Sequence, residues 1–252
     1  MDAATKEIVA KVPAITLGFW IIKILATTLG ETGGDAVSMS MNFGYLASTG
    51  IFMLIFVAAV IFQIKAAKFH PFIYWLTIIA STTVGTTMAD YADRSLGIGY
   101  AGGSALLLSL LLSSLFIWHR SLGRIDVASV NTPIAETFYW FTIMFSQTLG
   151  TALGDWTADT AGRGYLGAAG IFSGLLIILV LLYFFTNTNR VFLFWSAFIL
   201  TRPLGAAVGD FLDKPVARGG LELSRYTASG VLIVAIIALV VLLPQRAAEQ
   251  SH

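Results

Sequence analysis

Eight of the fourteen acidic residues of this chain fall into four closely spaced pairs: Glu31 with Asp35, Asp90 with Asp93, Asp155 with Asp159, and Asp210 with Asp213. Residues three or four apart share one face of a helix, so each pair is expected to present two carboxylates to one point. Carboxylates held together either raise one another's pKa or recruit a cation. With threonine hydroxyls and freed backbone carbonyls they make an oxygen-only donor set, which suits hard or intermediate divalent ions such as Mn²⁺, Mg²⁺ or Ca²⁺. There is no cysteine, and the three histidines, His70, His119 and His252, stand apart from the acidic pairs. Thiolate chemistry is therefore excluded, and a histidine zinc site is not expected. Two cations, Lys23 and Arg202, lie inside apolar stretches, where charged side chains face a bundle interior and find a partner. They are expected to pair with the motif carboxylates or with helix carbonyls and to modulate the acidic site.

The acids are placed by a repeat. Trp, then Gly ten residues on, then Asp five further, recurs as Trp20/Gly30/Asp35, Trp75/Gly85/Asp90, Trp140/Gly150/Asp155 and Trp195/Gly205/Asp210. An aromatic precedes each tryptophan, and Tyr45, Tyr100 and Tyr165 follow the first three aspartates by ten residues. In the fourth copy the tyrosine is Tyr226, delayed by an insertion around Lys214 to Gly219. Small residues let helices approach closely in lipid, which gives the four glycines a packing role, and the four tryptophans read as packing or interfacial anchors.

The chain of 252 residues is 57% hydrophobic and 12% charged, with a mean hydropathy of +0.82, the composition of a polytopic membrane protein. A net charge of +1 gives no sign of nucleic-acid binding, and nothing indicates an oligomer. Apolar segments at 12–34, 43–64, 71–91, 99–118, 133–154, 164–186, 190–211 and 226–243 each suit a membrane crossing of roughly 20 residues. The expected fold is all-α: one membrane domain over 1–252, with eight transmembrane helices in four parallel two-helix repeats at 12–64, 71–118, 133–186 and 190–243. The repeats form two pseudo-symmetric halves, 1–120 and 132–252. An even number of crossings per repeat relates the copies by rotation about the membrane normal. Lys6, Lys11, Lys65, Lys68, Arg120, Arg124, Arg190 and Arg246 lie on the side of the termini, against Arg94, Arg163, Lys214, Arg218 and Arg225 opposite. This bias places both termini in the cytoplasm and the acids at the outer face.

The four copies resemble a bacterial family of uncharacterised membrane-anchored proteins built from four tandem repeats of unknown function, each with two transmembrane segments and a characteristic tryptophan. Trp20, Trp75, Trp140 and Trp195 carry that resemblance, which implies an inner-membrane protein of eight helices and no established chemistry. A looser likeness links Glu31-Thr-Gly-Gly-Asp35, one residue longer, to the Glu-x-Gly-Asp signatures of manganese and calcium cation/proton exchangers.

The expected function is a transporter for a divalent metal, an exporter of Mn²⁺-like ions coupled to protons, in which metal is substrate and no cofactor is bound. Its partners are the lipid bilayer, the metal ion and the proton. The alternatives are a cation channel with a ring of aspartates at its mouth, an intramembrane Mg²⁺-dependent transferase using Asp90/Asp93 or Asp155/Asp159, and a structural or sensor protein. Hydrolase and zinc-protease motifs are absent from the sequence.

Overall fold

Three motif helices open on a side chain that caps them, and two motif helices carry proline in the first turn. Thr16 accepts from the Phe19 amide, Thr132 from Ala135, and Asn189 from Val191 and Phe192, while Pro71 and Pro133 occupy first-turn positions that need no donor. In the computed structural model, which describes residues 10–248, the motif helices are α1 (Leu17–Asp35), α3 (Pro71–Asp90), α5 (Pro133–Asp155) and α7 (Arg190–Asp213). The second helices of the repeats are α2 (Tyr45–Lys65), α4 (Tyr100–Leu122), α6 (Gly164–Phe185) and α8 (Arg225–Leu242). Lys6 and His252 lie outside the described residues.

Directly after the motif aspartate, α1, α3 and α5 widen into π turns over Ala36–Ser40, Tyr91–Ser95 and Trp156–Thr160. The chain then reverses through a positive-φ glycine at the same place in each repeat, with Gly44 at 74° and Gly99 at 76°. Only glycine takes this conformation without strain. Repeat four lacks the π turn; its helix runs on to Asp213, and the insertion folds as a short turn over Val216–Arg218.

The motif helices close into a ring in which α1 packs on α3, α3 on α5, α5 on α7 and α7 on α1. Each second helix leans on the motif helix of the next repeat, α2 on α3, α4 on α5 and α6 on α7, and α8 completes the circle on α1. No repeat can therefore bury its apolar face alone, the usual logic of repeat architectures. Contacts within the ring pass through the motif glycines. A Cβ would lie 2.3 Å from Thr82 Cγ2 at Gly30, 2.9 Å from the Gln147 carbonyl carbon at Gly85, 2.3 Å from Arg202 Cγ at Gly150 and 2.2 Å from Thr27 Oγ1 at Gly205. Each glycine thus receives the residue three places before the glycine of the following repeat, and the fourth receives it from the first.

Six helices, α2, α3, α4, α6, α7 and α8, are long and apolar enough to cross a membrane. The second helices turn large apolar side chains such as Leu54, Phe116, Phe184 and Val234 outward. Helices α1 and α5 are not in that set; their buried faces carry Lys23, Thr27, Thr28, Glu31 and Thr32, and Thr142, Ser146, Gln147, Thr148 and Thr151. Among the described residues there are no strands, only an isolated bridge between Pro13 and Ala247 that ties both terminal segments together. Trp75, Trp140 and Trp195 are buried in the core near this end, whereas Trp20 is half-buried beside an apolar cleft of about 640 Å³ between α1, α6 and α7.

Candidate cation site at the end of the motif helices

Steps of four residues along each motif helix stack the ring interior into layers. From the terminal side they read Phe19/Tyr74/Tyr139/Phe194, Lys23/Ile78/Ile143/Phe198, Thr27/Thr82/Gln147/Arg202, Glu31/Thr86/Thr151/Ala206 and Asp35/Asp90/Asp155/Asp210. All of these side chains are buried. The first layer is closed by aromatic packing and by a 2.7 Å hydrogen bond between the Tyr74 and Tyr139 hydroxyls. The last layer brings the four motif aspartates to the mouth of the ring, flanked by the partly exposed side chains of Arg94 and Arg225.

Cations from repeats two and four divide that aspartate layer into two matching halves. Arg94, four residues after Asp90, lies 3.1 Å from Asp90 and 3.4 Å from Asp155 of the next repeat. Lys214, four residues after Asp210, lies 3.0 Å from Asp210 and also contacts Asp35 of the first repeat. Each cation therefore bridges its own aspartate to that of the following copy. Lys214 further approaches Asp213 at 3.9 Å, and Arg225 joins Asp213 at 2.9 Å and Asp35 at 3.8 Å. Burial alone would lower the Lys214 ammonium, but Asp210, Asp35 and Asp213 outweigh it and hold it well above its ordinary value. Lys214 is thus charged at neutral pH.

One layer deeper, Arg202 ties the ring together. Its Nη2, with two N–H groups to share, lies within hydrogen-bond distance of Glu31 Oε2 at 3.0 Å, Thr86 Oγ1 at 2.6 Å and Thr151 Oγ1 at 2.5 Å, so a side chain of α7 touches the other three motif helices. Such a group can lie only between all four helices, where it fills the ring interior. Glu31, Asp35 and Asp210 each offer a carboxylate oxygen within 4.8 Å of the others, a spacing at which one ion can be held.

Several expected partners differ. Lys23 meets no carboxylate: its ammonium sits 4.0 Å over the Phe198 ring and 3.4 Å from Thr201 Oγ1. The i+8 reach from Lys23 to Glu31 spans two helical turns, and Arg202 already holds Glu31. Asp93 and Asp159 do not join their motif aspartates. The π turns change the residues per turn, leaving Asp159 exposed and directing Asp93 toward Gly103 of α4. Of the eight acids, then, Glu31, Asp35 and Asp210 converge, Asp90 and Asp155 share Arg94, Asp213 binds Lys214 and Arg225, and Asp93 and Asp159 stand aside. Arg94, Lys214 and Arg225, read from the sequence as loop charges that orient the chain, belong to the site. The spacings Asp90 to Arg94 and Asp210 to Lys214 were the available signal, because i,i+4 pairs of opposite charge meet on a helix.

The family model described as Repeat of Unknown Function (DUF347) matches residues 18–69, 73–123, 138–189 and 193–245. The chain belongs to this family. The four matches each span one motif helix, its turn and the second helix, so the family's repeat is the two-helix unit seen in the ring. No curated protein and no solved structure matches the chain.

Proposed function

We propose that the chain is a multi-pass membrane transporter that exchanges a divalent cation for protons at the carboxylates of Glu31, Asp35 and Asp210. The observation that carries this reading is their approach to within 4.8 Å, beside the further acids Asp90, Asp155 and Asp213. Six buried or half-buried carboxylates, Glu31, Asp35, Asp90, Asp155, Asp210 and Asp213, face four cations, Arg94, Arg202, Lys214 and Arg225. The formal excess is two negative charges. In a low-dielectric interior such an excess is met by two protons or by one divalent ion. The donors are all oxygen, which favours Mn²⁺, Mg²⁺ or Ca²⁺ over thiolate-seeking metals. Lys214 is a tethered stand-in for the substrate: it occupies the space between Asp35 and Asp210 and must withdraw when metal enters.

All eight helices cross the bilayer in this reading, with both termini in the cytoplasm of a bacterial cell, the acids at the outer face, and export as the direction. Arg202, bonded to all three other motif helices, and the Tyr74–Tyr139 pair favour a carrier over an open channel. A transferase of the two-aspartate type has no support from Asp90/Asp93 or Asp155/Asp159, whose members part company at the π turns. The test is Mn²⁺ uptake by proteoliposomes under an imposed pH gradient. Wild type is expected to drive uptake and proton counterflow together, and Asp35→Asn/Asp210→Asn to abolish both. Uptake unchanged in that variant would refute the assignment.

A further inference from the structure

The apolar cleft of about 640 Å³ between α1, α6 and α7 takes no part in the carboxylate site, and its shape and charges are those of a lipid site. Along α7 it reaches from Arg190 to Thr201, a rise of about 16 Å at 1.5 Å per residue. Half of a hydrocarbon core roughly 30 Å thick is about 15 Å, so the cleft is as deep as one leaflet. Its walls are apolar side chains such as Trp20, Ile24, Leu176, Val180 and Phe194. At the terminal end stand two charges, Arg190 and Asp126, which do not pair with each other or with any other charged side chain among the described residues. The Arg190 guanidinium lies 4.3 Å over the Tyr183 ring and donates from Nη1 to the Tyr183 carbonyl at 2.8 Å, which fixes its position and leaves its other N–H groups to a ligand. Asp126 accepts from the Ala128 amide at 3.0 Å through Oδ1 alone.

The same place in the first half of the molecule is closed by protein. The halves repeat at 120 residues, as Trp20 and Trp140 do. In the first half Phe56 of α2 packs on Trp140 of α5 with ring centroids 6.4 Å apart, Gln63 donates to the Lys11 carbonyl at 2.7 Å, and Lys11 joins Glu136 at 2.7 Å. The counterparts in the second half are Leu176, Trp20, Tyr183 and Thr16, and all of them line the cleft. The cleft is therefore a feature of this half and no general consequence of the fold. Water gains little between apolar walls, and a free anion would satisfy Arg190 but leave those walls unfilled. A lipid with net negative charge would face the Asp126 carboxylate. We propose that the cleft holds an acyl chain of one phospholipid with a phosphoethanolamine headgroup, its phosphate on Arg190 and its ammonium on Asp126. The chain takes the place that Phe56 fills in the first half, so the lipid completes the packing of α6 against α1. This site rests on the membrane-spanning reading of the helices and on none of the transport carboxylates.

The experiment is native mass spectrometry of the full chain, delipidated in non-ionic detergent with chelator present. It is then offered equal amounts of phosphatidylethanolamine, phosphatidylcholine and phosphatidylglycerol with identical chains. Wild type is expected to retain one phosphatidylethanolamine, about tenfold in preference to either of the others, as a charge-assisted contact on each end of the headgroup implies. Arg190→Gln should lower that retention about tenfold, and Asp126→Asn, which can still accept from Ala128, should abolish the preference over phosphatidylcholine. Leu176→Phe, copying the first half, should lower retention of all three lipids by filling the cleft. Equal retention of the three lipids by wild type, or retention undiminished in Arg190→Gln, would overturn the proposal. Should a variant not fold, the Tm of wild type is expected to rise more with phosphatidylethanolamine than with the other two lipids, and equal Tm in all three overturns it. Metal is absent throughout, so failure here leaves the carboxylate reading standing, and failure of metal transport leaves the lipid site standing.

Discussion

Removing either member of the Arg202 and Glu31 pair should be costly, and the two removals should differ. Arg202 Nη2 shares its two N–H groups among three oxygens, at 3.0 Å to Glu31, 2.6 Å to Thr86 and 2.5 Å to Thr151, all within the buried ring. Breaking a buried ion pair by deleting one partner costs about 3–5 kcal/mol, because the other charge is left uncompensated. Glu31→Gln keeps the two threonine bonds but strands a guanidinium that cannot shed its proton, so the full cost of about 3–5 kcal/mol is expected. Arg202→Met loses all three bonds, yet the stranded carboxyl can take up a proton, which limits the loss to about 2–4 kcal/mol and makes it smaller at acid pH. The double variant leaves no charge unpaired, and its cost should fall short of the sum by at least about 2 kcal/mol. Equilibrium unfolding in mixed detergent micelles, read by tryptophan fluorescence, measures all four proteins. Single variants within about 1 kcal/mol of wild type, or strictly additive costs, would refute Arg202 as the tie of the ring.

Gly85→Ala should destabilise by about 1–3 kcal/mol because its Cβ would press on the Gln147 backbone at 2.9 Å, whereas Gly170→Ala, with nothing within 4 Å, should be neutral or stabilising in the same unfolding assay. Tyr74→Phe should cost about 1–3 kcal/mol by leaving the Tyr139 hydroxyl buried alone, while Tyr74→Phe/Tyr139→Phe should approach wild type; the order of melting temperatures checks it. Lys214→Gln should raise divalent-metal affinity about tenfold in calorimetry, since the tethered competitor is gone. Its raised pKa means the ammonium's stabilisation is complete below the ordinary lysine value of about 10.4 and is lost only as pH rises through the folded value. The stability gap between wild type and Lys214→Gln is instead set by its carboxylate partners and is expected to narrow as pH falls and Asp213, raised to about 7 by burial, takes up a proton; a gap flat from about pH 6 to 9 would contradict this.

Much of the ring was legible because the motif is written in fixed spacings. The helix bounds follow from the apolar runs, two of which open on Pro71 and Pro133, and the alignment of Thr27, Thr82, Gln147 and Arg202 in sequence is their alignment in one layer. Periodicity could not tell that π turns follow Asp35, Asp90 and Asp155, and so it overstated Asp93 and Asp159 as partners. Closure was also hidden: which residue meets Gly30 depends on a helix 52 positions away, and only the packing of repeat on repeat decides it. Arg94 and Lys214 were misplaced for a related reason. Counting basic residues by side treats them as solvated loop charges, whereas their spacing to Asp90 and Asp210 draws them into the acidic layer.

The central claim, that the carboxylates trade a divalent ion for protons, is tested most directly by calorimetry of Mn²⁺ binding to the purified protein in two buffers of different ionisation enthalpy. The difference between the two heats gives the protons released per ion bound. The account predicts close to two protons per Mn²⁺ in wild type, matching the formal charge excess, and no binding in Asp35→Asn/Asp210→Asn. Binding without proton release, or binding that survives in that variant, would contradict it.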